Sequence, residues 1–222
     1  MPIIYQHNIN EHTKLAVWRI NEPESFFLQR VPLKKEVSHP HKRLQHLAGR
    51  YLLPALFADF PLDAIRVADT RRPFLDNEQY HFSISHCDDY AAAIVSARER
   101  VGVDIESITP RIERVRHKFV TPQEWRLLVA YAESRAGDGP RVPTPDARLL
   151  TLLWSAKEVI FKWYGSGQLD FRTHMQLSAP PVTDSDGLIT MPFAFSRNGS
   201  RFLDVRGLFM DQTVLSWTAT GV

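Results

Sequence analysis

The chain has 222 residues, with 27 basic and 25 acidic side chains and a net charge of +2. That length suffices for one large domain or two small ones, and 44% hydrophobic with 23% charged residues is the balance of an ordinary globular protein. The weak charge gives no electrostatic reason to expect nucleic acid, the single Cys87 excludes an internal disulfide and a cysteine-built zinc site, and no apolar run is long enough to span a bilayer. The opening Met1-Pro2-Ile3-Ile4-Tyr5 lacks a basic stretch followed by an apolar run and a cleavage site, so the expected location is the cytoplasm.

Lys14 to Ile20 alternates β-branched and aromatic residues and predicts a strand. Glu22-Pro23-Glu24 then opens a short helix through Phe26, Phe27 and Leu28. Residues 40–58 form the first long helix, with Leu44, Leu47, Tyr51 and Leu52 at three- and four-residue steps and a kink expected at Pro54. Its polar side carries Lys42, Arg43, His46 and Arg50. Lys42, His46 and Arg50 are four apart, a basic stripe that is either a solvated face or a phosphate site.

A short strand is expected at 64–68, followed by a turn holding Arg71, Arg72 and Pro73. Tyr80–His86 and Tyr90–Ala97 read as a hairpin turning at Cys87-Asp88-Asp89. Val101–Glu106 is the next strand. Asp104 and Glu106 are two apart and project from one face, either as a solvated polar row or as oxygen ligands for a hard divalent ion.

Thr121-Pro122-Gln123-Glu124 is a helix start with a capping box. Residues 135–146 are rich in Gly and Pro and predict a loop, after which Asp146 caps a second long helix over 147–164. Within it, Trp154-Ser155-Ala156-Lys157-Glu158-Val159-Ile160-Phe161-Lys162 sets an acid and two bases among apolar residues. Glu158 and Lys162 share a face, as a plain ion pair or as part of a site. Short antiparallel strands complete the chain. The order predicts an α+β fold of two subdomains, 1–100 and 101–222, each a long helix on a small antiparallel sheet.

Val101-Gly102-Val103-Asp104-Ile105-Glu106, followed by the 154–162 stretch, closely resembles the two-part signature of the 4′-phosphopantetheinyl transferases, in the larger monomeric class of surfactin- and enterobactin-synthetase-activating enzymes. Lys42-Arg43 with Leu47-Ala48-Gly49-Arg50, Arg72-Pro73, and Phe82-Ser83-Ile84-Ser85-His86 are similar to further motifs of that family. The resemblance implies a pseudo-dimer with its active site in the cleft between the halves: an N-terminal half binding coenzyme A and a C-terminal half carrying metal ligands and the catalytic helix. It implies transfer of the phosphopantetheine arm of coenzyme A to a serine of an apo acyl or peptidyl carrier protein, by a monomer with no nucleic-acid or membrane partner.

By the same resemblance, Asp104, Glu106 and Glu158 hold Mg²⁺, and Glu158 is also the general base. Lys162 stabilises or protonates the leaving bisphosphate. His86, Arg50 and Lys42 or Arg43 contact the 3′-phosphate region. Arg72 lies near the adenine and its phosphates, with Arg71 as its rival in a turn where many relatives have Gly-Lys-Pro. Ser85, Asp104 and Lys162 complete the coenzyme A set, and Lys157 contacts the phosphates or is structural. A non-catalytic module that binds coenzyme A or a carrier would keep the basic residues but lose an acid or Lys162, and all are present here.

Overall fold

A computed structural model describes residues 3–33, 37–135 and 144–221. The chain divides into two compact units, Met1–Ile105 with Lys162–Ser166 and Ala219–Val222, and Glu106–Phe161 with Gly167–Thr218. Helices and antiparallel strands make up both, and the class is α+β.

The first unit contains, in order, β1 (Ile3–Asn8), β2 (Thr13–Arg19), α1 (Glu24–Leu28), α2 (Pro40–Leu56), β3 (Arg66–Val67), β4 (Pro73–Phe74), β5 (His81–Cys87), β6 (Tyr90–Ser96) and most of β7 (Glu99–Ser107). Four strands form an antiparallel sheet in the order β1-β2-β6-β5. The sequence reading omitted β1, whose side chains alternate between half-buried and exposed at the sheet edge. β6 is buried from Ala91 to Ser96. Ala91 and Ala93, on one face of this strand, offer a flat surface to α2 and share a core cluster with its Leu47, Leu52 and Leu53. Burying each such leucine contributes about 1.5–3 kcal/mol. Trp18, Phe26, Phe27 and Tyr51 add a cluster of edge-to-face and tilted rings between α1 and α2.

Two local expectations resolve differently. α2 is not split at Pro54 and continues to Leu56. The strand expected at 64–68 is a 3-10 turn at Leu62–Ala64 followed by the two-residue β3, which pairs with β4 across a turn holding Arg71 at φ 65. The β5–β6 hairpin forms as read, with Cys87 opposite Tyr90 and Asp88 in the left-handed region that Asp tolerates.

The second unit holds α3 (Arg111–Val115), α4 (Pro122–Arg135), most of α5 (Ala147–Tyr164) and the strands β8 (Met175–Leu177), β9 (Val182–Thr183), β10 (Ile189–Phe195), β11 (Arg201–Met210) and most of β12 (Thr213–Gly221). Its strands run β12-β11-β10-β8, with β9 paired to β10. The capping box of α4 is present: Thr121 N–H donates to Glu124 Oε2 at 2.8 Å and Glu124 N–H to Thr121 Oγ1 at 3.2 Å. Asp146 Oδ1 accepts from Leu149 N–H at 3.0 Å and starts α5. The loop expected at 135–146 falls mainly on 136–143, outside the described residues.

Candidate active site

The basic stripe is positioned by a close approach of α2 to β5. A Cβ on Gly49 would lie 2.5 Å from Ile84 Cγ2, so only glycine lets the helix settle at this depth. Residues on either side of that contact then border one cavity of about 580 Å³, lined by Lys42, His46, Arg50, Arg71, Ile84 and His86 among others, with no acidic side chain among the described residues of its wall. Its volume suits a small-molecule ligand and its wall suits an anion.

Burial pulls the Arg50 guanidinium below its ordinary value. His86 is pulled down first by burial and next by the charge of Lys162, with Asp104 opposing, so its imidazole is neutral at pH 7. Arg50 and the His46 ring share a 3.0 Å contact that orders both.

The remaining basic candidates divide. Arg43 is outside the cavity wall; its guanidinium pairs with Glu24 at 2.8 Å and donates to Val37 O at 3.1 Å, tying α2 to α1. Arg72 lies on the other side of the β3–β4 turn from Arg71, over Gly165, whose Cβ would fall 1.9 Å from the Arg72 guanidinium.

A second group sits where β5 meets β7. Side chains alternate along β5, so Ile84 and His86 face the cavity while Ser83 and Ser85 turn the other way. Ser83 Oγ accepts from Val103 N–H at 3.1 Å and ties the two strands together. Next along, Ser85 Oγ donates to Asp104 Oδ1 at 2.8 Å, and Lys162 Nζ donates to Asp104 Oδ1 at 2.7 Å and to Ser85 Oγ at 2.8 Å. Asp104 is 2% exposed, and its second oxygen, Oδ2, is buried with no hydrogen-bond partner among the described residues. A buried carboxylate oxygen without a donor is costly, and it fits a hard cation, which takes oxygen ligands.

In the second unit, Glu106 Oε1 accepts from Trp154 Nε1 at 3.3 Å, and Glu158 is half-buried on α5. Among the described residues no group of three or more His, Cys, Asp or Glu side chains is gathered as a metal cluster. Lys157 is fully buried. Its ammonium meets Glu124 Oε1 at 2.6 Å, Phe119 O at 2.6 Å and Phe171 O at 2.7 Å, so all three N–H bonds are spent inside the core. Burial lowers its pKa while Glu124 pushes back. Of the two roles left open for Lys157, this is the structural one. Glu124 escaped the sequence reading as anything but a helix cap; the available signal was a lysine inside an apolar helix, which needs a counterion. Cys87, the single cysteine, is half-buried at the end of β5 beside the hairpin turn.

Residues 100–199 match the family described as the 4′-phosphopantetheinyl transferase superfamily. The chain is similar to enterobactin synthase component D of Salmonella austin, at 33% identity over 121 residues that cover 54% of this chain and 47% of that protein. It is also similar to enterobactin synthase component D of Escherichia coli K12, at 32% identity over 126 residues covering 54% of each. The chain thus spans about half the length of the curated relatives it matches.

Proposed function

We propose that this protein transfers the 4′-phosphopantetheine arm of coenzyme A to a serine hydroxyl of an apo acyl or peptidyl carrier protein, releasing adenosine 3′,5′-bisphosphate. The observation that carries this reading is the pairing, within one unit, of a basic cavity with the Ser85–Asp104–Lys162 group. The 3′-phosphate and the pyrophosphate of coenzyme A need cationic walls, and the bond to be broken lies in the pyrophosphate. The superfamily match and the similarity to enterobactin synthase component D support the same reaction.

In this reading Lys42, His46, Arg50, Arg71 and His86 bind the nucleotide phosphates, and neutral His86 donates or accepts a hydrogen bond there. Arg71 is preferred to Arg72, and Lys42 to Arg43, because they line the cavity. Asp104, Glu106 and Glu158 are the proposed ligands for Mg²⁺. The ion would supply positive charge to the pyrophosphate oxygens. Glu158 accepts the proton of the carrier serine as its oxygen forms the new bond to phosphorus. Lys162 offsets the charge that collects on the bisphosphate as the old P–O bond breaks. We further propose that the two units are duplicated halves of a pseudo-dimer, the first serving coenzyme A and contributing Asp104 and Lys162, the second contributing Glu106 and Glu158 and serving the carrier. The protein would then work as a cytoplasmic monomer without nucleic-acid or membrane partners. No helix among the described residues is long and apolar enough to cross a membrane.

The test is incubation with coenzyme A, Mg²⁺ and several apo carriers, followed by the mass of each carrier. A phosphopantetheine adduct is expected on at least one. Coenzyme A binding without any adduct would favour a non-catalytic binding module instead.

A further inference from the structure

The β3–β4 turn separates two cavities. Arg71 lines the larger one described above, whereas Arg72 lines a second of about 210 Å³ together with His81 and Arg100. Pro73 contributes to both walls. Neither the proposed transfer reaction nor its phosphate contacts make use of the smaller cavity. The side chains of Arg72, Arg100 and His81 make no hydrogen bond or ion pair with another side chain among the described residues. Two half-buried guanidinium groups thus converge without a counterion in contact.

Three features bear on how that charge is tolerated. Arg72 lies over Gly165, just past the last turn of α5, where the helix end offers partial negative charge equivalent to about half an electron. Arg100 stands over the Trp163 ring at 5.6 Å, a contact that orders it without neutralising it. Glu78 is the one carboxylate in the wall, and it is exposed. These leave a net positive site. Arg72 is held below its ordinary pKa by burial and then by Arg100, with Glu78 opposing. His81 is lowered by burial, with Glu78 opposing, and further by both arginines. Tyr80 and Phe82 on the same wall are buried, so the floor is apolar and aromatic.

We infer that the Arg72–Arg100–His81 cavity is a second anion site, taking a phosphoryl group carried on a compact apolar body. Two guanidinium forks match the oxygens of a phosphate monoester, and the aromatic floor accommodates what the phosphate is attached to. The site is separate from the coenzyme A cavity and does not depend on the transfer reaction.

Calorimetric titration of the full chain with phenyl phosphate, and in parallel with inorganic phosphate, tests this. Arg100→Gln should weaken phenyl phosphate binding about tenfold or more, the value of one charge-assisted hydrogen bond. Lys42→Gln/Arg71→Gln should leave it intact, and inorganic phosphate should bind the small cavity more weakly than phenyl phosphate. Unchanged affinity in Arg100→Gln, or loss in Lys42→Gln/Arg71→Gln instead, overturns the assignment. If Arg100→Gln lowers the ligand-free unfolding midpoint, Glu78→Gln decides. Removing that exposed carboxylate should tighten phenyl phosphate binding several-fold, and unchanged or weaker binding rejects the site.

Discussion

Lys162 Nζ lies 2.7 Å from Asp104 Oδ1, and Ser85 donates to the same oxygen while accepting from the same ammonium. The other oxygen of Asp104 has no donor among the described residues. One carboxylate is therefore divided in two: one side held by the protein, the other available to a cation. Asp104→Asn should keep the packing, remove the cation's ligand and reduce phosphopantetheine transfer by more than about 100-fold. Glu158→Gln should lose about 10²–10⁴-fold with coenzyme A affinity retained. Carrier mass and circular dichroism together check both; near-normal turnover in either folded variant would remove that residue from the chemistry.

Lys42 and Arg43 are neighbours with opposite assignments. Lys42→Gln should raise the apparent KM for coenzyme A about tenfold at little cost in stability, as expected for one phosphate contact. Arg43→Gln should cost up to about 1 kcal/mol of stability through its Glu24 pair and leave the KM alone. Steady-state kinetics beside urea unfolding separates the two, and the reverse pattern would exchange their roles.

Gly49→Ala should cost about 1–3 kcal/mol, because its methyl would meet Ile84 Cγ2. It should also raise the coenzyme A KM by moving His46 and Arg50. Adding Ile84→Ala should recover part of both losses, giving a favourable coupling in the double-mutant cycle. Purely additive effects would mean that the close approach does not position the stripe.

The folded pKa of His86 lies below 6.5. The unfolded chain therefore takes up this proton first as pH falls, and folding stability should decline below pH 6.5 and level off once the folded-state pKa is passed. His81 acts in the same direction. His86→Gln should flatten part of the slope between unfolding free energies measured above and below pH 6.5. A variant with the full wild-type slope would show that His86 is not the titrating group.

The buried Lys157–Glu124 pair gives the largest expected stability effect. Lys157→Met or Glu124→Gln alone should cost about 3–5 kcal/mol, whereas Lys157→Met with Glu124→Leu should recover much of it. Equilibrium unfolding of the three variants checks this; a double variant as unstable as the sum of the singles would contradict it.

The long helices, the β5–β6 hairpin and the capping box were legible because each is a local pattern of a few residues. The two-part signature was legible because residue type and spacing agreed over a long separation. What stayed hidden depends on direction or on distant partners. Arg71 and Arg72 are adjacent letters, yet the positive φ at Arg71 sends them to different cavities. Lys42 and Arg43 diverge because Glu24, nineteen residues before Arg43, claims one of them. β1 passed unnoticed because an edge strand with one half-buried face carries weak alternation.

Glu124 begins α4 through Oε2, while Oε1 takes the Lys157 ammonium and also the Leu177 N–H at 3.0 Å. One carboxylate thus joins the start of a helix, an edge strand and the helix that bears Glu158. A lineage that replaced Glu124 would have to replace Lys157 almost at once and find a new donor-free packing around both. The position is open to paired exchange and closed to gradual drift, although it touches no substrate.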